Sequence, residues 1–260
     1  MHSRPTALID LNSDLGEGFG PWSMGDDAAM LDLVTSANVA CGGHAGDPDT
    51  MFATLVMARD RQVVIGAHPG YADRQGFGRR SIAMTTAQIE HMVAAQIGAL
   101  MGVAALAGAK VRYVKTHGAL ANLAADDRTV GDAIARAVHA LTPDLAVLAL
   151  SGTEQEAAAL AQGLDVYSEI FADRAYLPNG RLVPRSHPTA MIHDKDRAAD
   201  RLLAFLDTGA MPTLDGPAVR LRAQSICVHG DNAGAVAMAS HIRHRLQAAG
   251  ITLRPFLPAS

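Results

Sequence analysis

The sequence predicts an α/β fold in which a parallel sheet closes into a barrel of seven strands, most of them followed by a helix. Seven short apolar runs, rich in Val and Ile, alternate with helical patterns along the chain. The runs show weak polar alternation, which is typical of strands buried on both faces of a parallel sheet. Neither GxGxxG after the first run nor GxxxxGK[ST] anywhere occurs in the sequence. Because those loops are the usual signature of an open nucleotide-binding sheet, we favour the closed barrel.

The whole chain, residues 1–260, is expected to form a single domain. Its 260 residues suit one α/β barrel. Hydrophobic residues make up 49% of the chain, which is ample for a buried core. No Ser- or Pro-rich linker and no break in composition divides the sequence.

The predicted strands coincide with the apolar runs. Their bounds are residues 7–11, 38–41, 63–67, 111–114, 146–150, 166–171 and 225–228. The alternation of strands and helices implies a parallel sheet with right-handed crossovers, so all seven strands are expected to point the same way, with the helices outside the barrel.

The predicted helices fill most of the gaps between strands. Their bounds are residues 26–34, 48–61, 87–107, 127–141, 154–162, 196–207 and 232–249. Asp47 and Pro48 are typical of a helix start, because Asp accepts free backbone N–H groups and Pro has none to satisfy. Thr85 and Gln88 have the spacing of a capping box, and Gly163 is typical of a helix end.

Two long stretches have no helical pattern. Residues 16–26 follow the first strand, and residues 172–193 follow the sixth. Loops of this length in compact domains often act as lids or interaction surfaces. The second stretch holds Arg174, Arg181, Arg185 and His187.

The composition argues against nucleic-acid and membrane partners. The formal net charge is −4 and both signs are interspersed, so no basic footprint is present. No uninterrupted apolar run reaches about 18 residues, the length of a membrane span. The start of the chain lacks the apolar core of a signal peptide. Cys41 and Cys227 are scattered and suit a reducing compartment, so we expect a cytoplasmic protein without a disulfide.

Polar residues collect where the predicted strands end. They are Asn12, Asp14 and Glu17 after the first strand, His44 and Asp47 after the second, His68 after the third, Lys115 and His117 after the fourth, Ser151 after the fifth, Glu169, Asp173 and Arg174 on or after the sixth, and His229 and Asp231 after the seventh. The carboxyl ends of barrel strands share one face, where such folds place their active sites. Four histidines, several carboxylates and one lysine are therefore expected at a single mouth.

Several of these residues also have purely structural explanations. Asp47 and Asp231 are well placed to cap helices. His68 and His229 are equally explained as hydrogen-bonded core histidines, and Glu17 as a solvated loop residue.

Lys115 and His44 point more clearly to function. A buried ammonium is costly without a carboxylate partner, and Lys115 lies in an apolar run. Glycines beside His44 let backbone and ligand approach closely. Cys41 is close to His44 in sequence, but a buried inert thiol explains it better than a nucleophile does.

Seven motifs run in order along the chain. They are Asp-Leu-Asn-Ser-Asp-Leu-Gly-Glu (10–17), Ala-Cys-Gly-Gly-His-Ala-Gly-Asp-Pro (40–48), Gly-Ala-His-Pro-Gly-Tyr (66–71), Gly-Phe-Gly-Arg-Arg (76–80), Lys-Thr-His-Gly-Ala-Leu (115–120), Phe-Ala-Asp-Arg-Ala-Tyr (171–176) and Cys-Val-His-Gly-Asp (227–231). Together they resemble the LamB/YcsF family over nearly the whole chain. The resemblance implies an irregular seven-stranded (β/α) barrel similar to the glycoside hydrolase/deacetylase superfamily.

The resemblance also implies an activity, that of the A subunit of bacterial ATP-dependent 5-oxoprolinase. This enzyme opens the lactam of 5-oxo-L-proline to give L-glutamate, with ATP as co-substrate and with two partner subunits, B and C. Because the chain has no nucleotide-binding loop, we expect the lactam oxygen to be phosphorylated on a partner. This barrel would then open the activated ring with water.

Residue types suggest roles in such a reaction, although the spacing does not assign them. Asp14, Glu17 or His44 would act as general base. Lys115 and His117 would stabilise developing negative charge. The substrate-binding wall, with its arginine holding the substrate carboxylate bidentately, would comprise Asn12, His68, Asp173, Arg174 and His229.

The chain departs from the family's usual residues at four positions. The family usually has Cys at Ser13, Phe at Gly43, Pro at Thr116 and Tyr at Ala121. None of these departures removes a charged or imidazole group. The last three would enlarge or loosen the pocket, which leaves the exact substrate open.

Two other functions fit the same residues. One is a stand-alone, metal-dependent deacetylase or amidohydrolase with a divalent ion on Asp14, His44 and His68. No HxxxH pair, which polysaccharide deacetylases usually carry, occurs in the sequence, and we assign no metal ligand at this stage. The other is a subunit that only binds a small acid and regulates a partner, which needs fewer titratable groups than the mouth contains.

Overall fold

The computed structural model describes residues 8–230 and 234–258. These residues contain ten strands, numbered in chain order. They are β1 (Leu8–Leu15), β2 (Ser36–Ala40), β3 (Val64–His68), β4 (Val111–Val114), β5 (Ala146–Leu150), β6 (Val166–Phe171), β7 (Ala210–Thr213), β8 (Gly216–Arg220), β9 (Ser225–Cys227) and β10 (Thr252–Leu253).

Eight helices accompany the strands in the same described residues. They are α1 (Asp27–Leu31), α2 (Pro48–Asp60), α3 (Thr86–Leu106), α4 (Gly118–Asp126), α5 (Arg128–Leu141), α6 (Glu154–Ala161), α7 (Lys195–Thr208) and α8 (Ala235–Ala248).

Seven of the strands form a closed parallel barrel, as the sequence predicts. The order around the barrel is β1-β2-β3-β4-β5-β6-β9, and β9 pairs with β1 to close it. Strand β1 pairs with three other strands along its length. Leu8 and Ile9 pair with β10, the residues from Asp10 to Asn12 pair with β9, and those from Asn12 to Leu15 pair with β2.

The predicted strand bounds are confirmed for β4, β5 and β6, and differ by one or two residues for β2, β3 and β9. Strand β1 continues to Leu15, so the prediction that Asn12 and Asp14 follow the strand is wrong. These two polar side chains are tolerated within a buried strand because Lys115 and Asn38 both donate hydrogen bonds to them.

Helices α2, α3, α5, α6 and α7 agree with the prediction to within one residue at each end. The Asp47 cap is confirmed, since its Oδ1 accepts from Thr50 N at 2.8 Å. The capping box of Thr85 and Gln88 is also confirmed. Helix α1 ends earlier than predicted, at Leu31. The predicted start of the last helix and the proposed cap at Asp231 lie outside the described residues.

The sequence prediction misses helix α4 and an antiparallel hairpin of β7 and β8. Helix α4 begins at Gly118, directly after His117, so no Ser, Thr, Asp or Asn marks its start. The hairpin turns at Asp215, whose φ is +57°. Strand β8 is mostly exposed, so it lacks the apolar run on which a strand prediction depends.

The two long stretches predicted to lack helices do lack them, and both are fully described. The root of the 172–193 stretch is held by Arg201, on α7. Its guanidinium donates to the carbonyl oxygens of Phe171 at 2.8 Å and of Ala172 and Arg174 at 2.6 Å. Such a multiple contact fixes the direction in which the chain leaves β6.

The amino ends of the barrel strands are covered by the C-terminal segment. Val64 and Ala146, the first residues of β3 and β5, share an apolar cluster with Tyr113. Phe256 packs on this cluster, with its ring centroid 5.0 Å from that of Tyr113 and 4.7 Å from that of Tyr167. The C-terminal segment therefore forms an apolar plug at this end of the barrel.

Helix α3 is long and apolar enough to cross a membrane by length and composition alone. Polar residues such as Glu90 and Gln96 interrupt it, so it is not one continuous apolar run. In the structure it packs beside α2 and α5 on the outside of the barrel. Core helices of barrels often pass the same test, so α3 is weak support for a membrane span.

Candidate active site

A cavity of about 570 Å³ opens at the carboxyl ends of the barrel strands. Seven of the ten site residues predicted from the sequence line it, namely Asp14, Glu17, His68, Lys115, His117, Arg174 and His229. Asn12, His44 and Asp173 lie behind this lining, and each is within hydrogen-bond distance of a residue that belongs to it. The structure therefore brings all ten predicted residues to one place, although they come from six different strand ends.

Lys115 is the centre of one cluster, which we call the ammonium network. Its Nζ lies 3.0 Å from Asp14 Oδ1, 3.2 Å from Glu169 Oε2, 3.2 Å from Asn12 Oδ1 and 3.1 Å from Cys227 Sγ. The Lys115 side chain is only 3% exposed. Two carboxylates thus compensate a buried ammonium, as the sequence argument requires.

The charges in the ammonium network hold one another ionised. Burial by itself would lower the pKa of Lys115, but Asp14 and its other partners raise it well above the ordinary value. Burial would likewise raise the pKa of Asp14, but His68 and Lys115 hold it well below its ordinary value. Glu169 differs, because burial outweighs the neighbouring ammonium and raises its pKa. Glu169 is therefore the member of the network that accepts a proton most easily.

Amides support the ammonium network from behind. Asn38 Nδ2 donates to Asn12 Oδ1 at 2.7 Å and to Asp14 Oδ1 at 2.9 Å. The hydroxyl of Tyr113 donates to Asn38 Oδ1 at 2.6 Å, which fixes the orientation of that amide. Such outer partners keep the carboxylate of Asp14 in one position.

Asp10 occupies a second polar position on β1, two residues before Asn12. It is fully buried and accepts hydrogen bonds from the hydroxyls of Thr35, Ser36 and Ser225. Burial raises the pKa of Asp10 to about 6, because the hydroxyls offset only part of the desolvation. Ser225 also accepts from Asn12 Nδ2 at 2.6 Å, which links Asp10 to the ammonium network.

Glu17, His44, His68 and His117 form a second cluster, the imidazole cluster. The rings of His44 and His117 are stacked, with centroids 3.6 Å apart and planes 2° from parallel. The His68 ring meets both edge-on, at centroid distances of 5.4 and 4.9 Å. Glu17 Oε1 lies 3.0 Å from His44 Nε2 and 3.7 Å from His117 Nδ1. One potential ligand atom from each residue lies within 4.8 Å of the others, so this cluster could hold a metal ion.

Burial dominates the acid–base behaviour of the imidazole cluster. It lowers the pKa of His44 well below the ordinary value, and the neighbouring His117 and His68 lower it further. Burial, followed by the neighbouring His68, lowers the pKa of His117 in the same way. Both rings are therefore neutral near pH 7, and neutral imidazole is the form that binds metals.

Gly78 makes room for the imidazole stack. A Cβ on this residue would lie 2.7 Å from His44 Cβ and 2.9 Å from His117 Cδ2. Its φ of +61° is also a left-handed conformation that favours glycine. The Gly-Phe-Gly motif therefore acts by letting the backbone approach the two rings.

Three cationic side chains line the cavity. They are Arg79, Arg174 and Arg185, which we call the cationic wall. Arg174 donates to the carbonyl oxygen of Val183 at 2.7 Å. Burial, together with the charge of Arg185, lowers the pKa of Arg174 to about 10, so it remains a cation near neutral pH. This wall suits an anionic group on a ligand.

His229 joins the cationic wall to Asp173. Its Nδ1 lies 2.7 and 2.8 Å from the two carboxylate oxygens of Asp173, and its Nε2 is 2.8 Å from Arg185 Nη2. Because arginine only donates, Nε2 accepts and Nδ1 carries the proton. Although burial acts in the opposite direction, His229 holds the pKa of Asp173 below its ordinary value.

Sequence reasoning misses several cavity residues. It places Glu169 on the sixth strand but gives it no site role, and the available signal is a carboxylate within an apolar strand run. Arg79, in the Gly-Phe-Gly-Arg-Arg motif, and Arg185, in the 172–193 stretch, also line the cavity, although the sequence analysis gives neither of them a site role. Cys41, considered as a nucleophile, is a buried thiol whose pKa burial raises to about 12, so its inert character is supported.

Two of the four departures from the family's usual residues, Gly43 and Thr116, have local partners in this structure. A Cβ on Gly43 would lie 2.4 Å from Gln96 Oε1, so the side chain of Gln96 fills the space beside that glycine. Gln96 in turn bonds the backbone N and O of Gly70, at 3.1 and 2.7 Å. Thr116 donates to Gln155 Oε1 at 3.0 Å. Ala121 lines the cavity.

The fold and the cavity together define a class, a (β/α) barrel protein with a buried acid–base site at the carboxyl ends of its strands. The sequence pattern of the LamB/YcsF family matches residues 9–260. The chain therefore belongs to the LamB/YcsF family.

Known proteins resemble this chain over nearly its full length. A Rhodopseudomonas palustris protein named as the A subunit of 5-oxoprolinase is 51% identical over 249 residues, which are 95% of this chain and 98% of that protein. The crystal structure of a lactam utilization protein from Thermus thermophilus has a TM-score of 0.90 at 40% identity, covering 96% of this chain and 100% of that one. The catalytic domain of a peptidoglycan N-acetylglucosamine deacetylase from Eubacterium rectale has a TM-score of 0.53 at 10% identity, covering 98% and 91%, and shows a likeness of fold alone.

Proposed function

We propose that this chain is the A subunit of an ATP-dependent 5-oxoprolinase, a hydrolase that opens the lactam of 5-oxo-L-proline to give L-glutamate. The observation that carries the proposal is the 51% identity over 95% of the chain to a protein of that name. A name that specifies one subunit implies others, and we propose that they are subunits B and C. The cavity supplies groups that suit the chemistry of a cyclic amide.

Ring opening needs activation, because a lactam is a stable amide. Phosphorylation of the lactam oxygen by ATP makes the ring carbon electrophilic. Water then attacks that carbon and the C–N bond breaks, giving an acyl phosphate that a second water hydrolyses to glutamate and phosphate. The sequence contains no GxxxxGK[ST] loop, which supports ATP binding and lactam phosphorylation on the partner subunits.

The geometry narrows the choice of general base. Asp14 and Glu17 line the cavity, whereas His44 lies behind Glu17 in the described structure. Asp14 is ionised near neutral pH because His68 and Lys115 hold its pKa low despite burial. We therefore assign the activation of water to Asp14 or Glu17, with His44 orienting Glu17.

Lys115 is the group best placed to stabilise negative charge on the reacting oxygen. It lines the cavity, and its raised pKa keeps it charged. His117 is less suited to that role in its neutral form. Its Nε2 lies 2.8 Å from the Phe77 carbonyl oxygen, so its proton is engaged there and Nδ1 presents a lone pair.

The cationic wall is proposed to hold the anionic parts of the substrate. Arg174 would bind the carboxylate, and Arg79 and Arg185 would contact a phosphoryl group on the activated lactam. His68, Asn12 and the pair of Asp173 and His229 would complete the polar surroundings.

The experiment that tests the function is glutamate release from 5-oxoproline and ATP by the reconstituted A, B and C subunits, with each one omitted in turn. Release that requires all three subunits and ATP is the expected result. Release by this chain alone without ATP would favour a stand-alone amidohydrolase instead. Binding of 5-oxoproline to this chain, with full turnover by the B and C subunits alone, would favour a regulatory role.

We also propose a single-domain cytoplasmic protein whose ligand is a small molecule, with no nucleic-acid or membrane partner. Both cysteines are free and buried, which supports a reducing compartment. One cooperative unfolding transition is expected for a single domain. Recovery of the native protein in a membrane fraction would contradict the proposed location.

A further inference from the structure

Two imidazoles in the cluster are fixed by backbone carbonyl groups. His68 Nδ1 lies 2.7 Å from the carbonyl oxygen of Lys115, and His117 Nε2 lies 2.8 Å from that of Phe77. A carbonyl oxygen can only accept, so each of these nitrogens carries a proton. In a neutral imidazole the other ring nitrogen then has a lone pair and no proton.

The unprotonated nitrogens of these two rings face each other. His68 Nε2 and His117 Nδ1 are 3.0 Å apart. Glu17 Oε1, a third acceptor, lies 3.7 Å from His117 Nδ1. Without a cation, three electron-rich atoms meet here inside the protein, an arrangement that repulsion disfavours. Either a proton or a metal ion has to lie among them.

A proton is the weaker of the two explanations. A proton placed between the two rings joins only His68 Nε2 and His117 Nδ1. The site is wider than that pair, because one ligand atom from each of the four residues of the cluster lies within 4.8 Å of the others. A metal ion, in contrast, binds neutral imidazoles and gains from the nearby carboxylate of Glu17.

We propose that Glu17, His44, His68 and His117 form a binding site for one divalent first-row transition-metal ion, with Zn²⁺ as the preferred type. Three imidazole nitrogens and one carboxylate oxygen are ordinary zinc ligands. The carbonyl groups of Lys115 and Phe77 act as the outer partners that orient the ligating rings. Glu17, His68 and His117 line the cavity, so a bound ion borders the proposed substrate site.

This ligand set differs from a triad of Asp14, His44 and His68. Asp14 Oδ1 is already used by Lys115 at 3.0 Å and by Asn38 at 2.9 Å, and its Oδ2 is 3.4 Å from His68 Nε2. The inference rests on the contacts within the cluster and not on the proposed function. It therefore applies to the chain alone, without ATP or partner subunits.

The test is metal binding by the full-length chain. After stripping with a chelator, the protein is titrated with Zn²⁺ by calorimetry, and Co²⁺ is used as a spectroscopic probe of the ligand geometry. About one ion per chain is expected, with tetrahedral-type Co²⁺ absorption and an increase in Tm on Zn²⁺ binding. Glu17→Gln and His117→Gln should each weaken Zn²⁺ binding by at least about tenfold.

Two matched variants locate the site. His229→Gln changes a buried cavity histidine outside the cluster, and Asp14→Asn changes the carboxylate of the rival triad. His229→Gln should bind Zn²⁺ within about threefold of the unaltered chain, since His229 contacts none of the four ligands. Asp14→Asn should weaken Zn²⁺ binding less than Glu17→Gln does, since Asp14 contacts the ligand His68 and is not a ligand itself. Circular dichroism shows which variants fold, and if His117→Gln does not, Glu17→Gln decides the comparison.

The proposal is overturned if the folded, unaltered chain binds no Zn²⁺ or Co²⁺, since a proton then explains the cluster. It is also overturned if Asp14→Asn abolishes binding while Glu17→Gln retains it. ATP-dependent glutamate release by a metal-free reconstituted complex would leave the proposed function intact. The failure of one idea is therefore distinguishable from the failure of the other.

Discussion

The ammonium network and the imidazole cluster lie side by side at the barrel mouth, but their buried polar groups are compensated in different ways. In the ammonium network, Lys115 is matched by Asp14 and Glu169, and all three charged groups have partners within the chain. In the imidazole cluster, the acceptor nitrogens of His68 and His117 face each other at 3.0 Å. The charges of the first cluster are compensated by atoms of the protein, whereas the second cluster is the proposed site of a metal ion.

Lys115 belongs to both clusters through different atoms. Its ammonium compensates Asp14, while its backbone carbonyl accepts from His68 Nδ1. A side-chain substitution therefore disrupts one cluster and keeps the backbone contact of the other. This separation makes the comparison open to experiment.

The largest expected effect comes from removing the ammonium. Lys115→Met should lower ATP-dependent glutamate formation by at least about 100-fold, because a charge stabiliser for the reacting oxygen is lost. The free energy of unfolding should fall by about 3–5 kcal/mol, because Asp14 and Glu169 are left unpaired in the interior. The measurements are steady-state turnover of the reconstituted complex and urea unfolding.

Lys110→Met is the matched control, since Lys110 is an exposed lysine just before the same strand. It should leave both quantities nearly unchanged. Wild-type-like turnover in a folded Lys115→Met variant would exclude this lysine from the mechanism.

The next effect tests the packing of the imidazole cluster. Gly78→Ala should cost about 1–2 kcal/mol for the left-handed backbone and about 1–3 kcal/mol more for crowding His44 and His117. Gly163→Ala separates the two terms, because Gly163 has a φ of +81° and no described atom within 4 Å of an added Cβ. Equal losses of stability for the two variants, measured by urea unfolding, would show that the stack does not need the space.

We expect the free energy of unfolding to depend on pH through Asp10, which Ser225 links to the ammonium network. Asp10 has a folded pKa of about 6 against an ordinary 3.8, so the folded chain keeps a proton that the unfolded chain releases. The contribution of Asp10 to stability is fully present below pH 3.8 and is lost as pH rises through about 6. The loss amounts to about 3 kcal/mol at most.

Asp10→Asn cannot titrate, so its stability relative to the unaltered chain should improve between pH 4 and pH 7. Unfolding free energies of both proteins across that range provide the measurement. Asp47→Asn is an informative control. Backbone N–H groups of Gly20 and Thr50 lower the pKa of Asp47 below its ordinary 3.8, so its contribution to stability is lost only as pH falls below that value and changes little between pH 4 and pH 7. A pH-independent difference for Asp10→Asn would show that its carboxyl is ionised throughout.

The smallest expected effect is on metal binding, which one substitution in the ammonium network should leave unchanged. This prediction tests whether the two clusters are independent of each other. Lys115→Met should retain the Zn²⁺ stoichiometry of the unaltered chain, because only the side chain changes and His68 keeps its carbonyl partner. Calorimetric titration of the stripped variant measures this. Loss of both Zn²⁺ binding and glutamate formation in Lys115→Met would mean that the two clusters form one cooperative unit.

Most of the fold can be predicted from the sequence because buried parallel strands leave a simple pattern. The runs at β4, β5 and β6 are apolar for most of their length, and their predicted bounds agree with those observed. Helices with clear signals, such as the Thr85 capping box, are located within a residue. Convergence of the ten site residues follows from the barrel geometry, since strand ends share one face.

The remainder depends on partners that are distant in sequence. Asn12 and Asp14 interrupt an apolar run and so resemble loop residues, but Lys115, more than 100 positions later, allows β1 to continue through them. Glu169 acquires its meaning only when that ammonium is seen beside it. The division of the histidines into a cluster of three and the separate His229 depends on side-chain directions that a single sequence does not show.

The packing of Phe256 at the amino ends of the strands affects how ligands reach and leave the cavity. Within the described residues, the 172–193 stretch borders the mouth of the cavity, and Phe256 packs at the far end of the barrel. In the proposed reaction, an activated lactam made on a partner subunit would enter by this mouth and glutamate would leave by it. Delivery and release would then alternate.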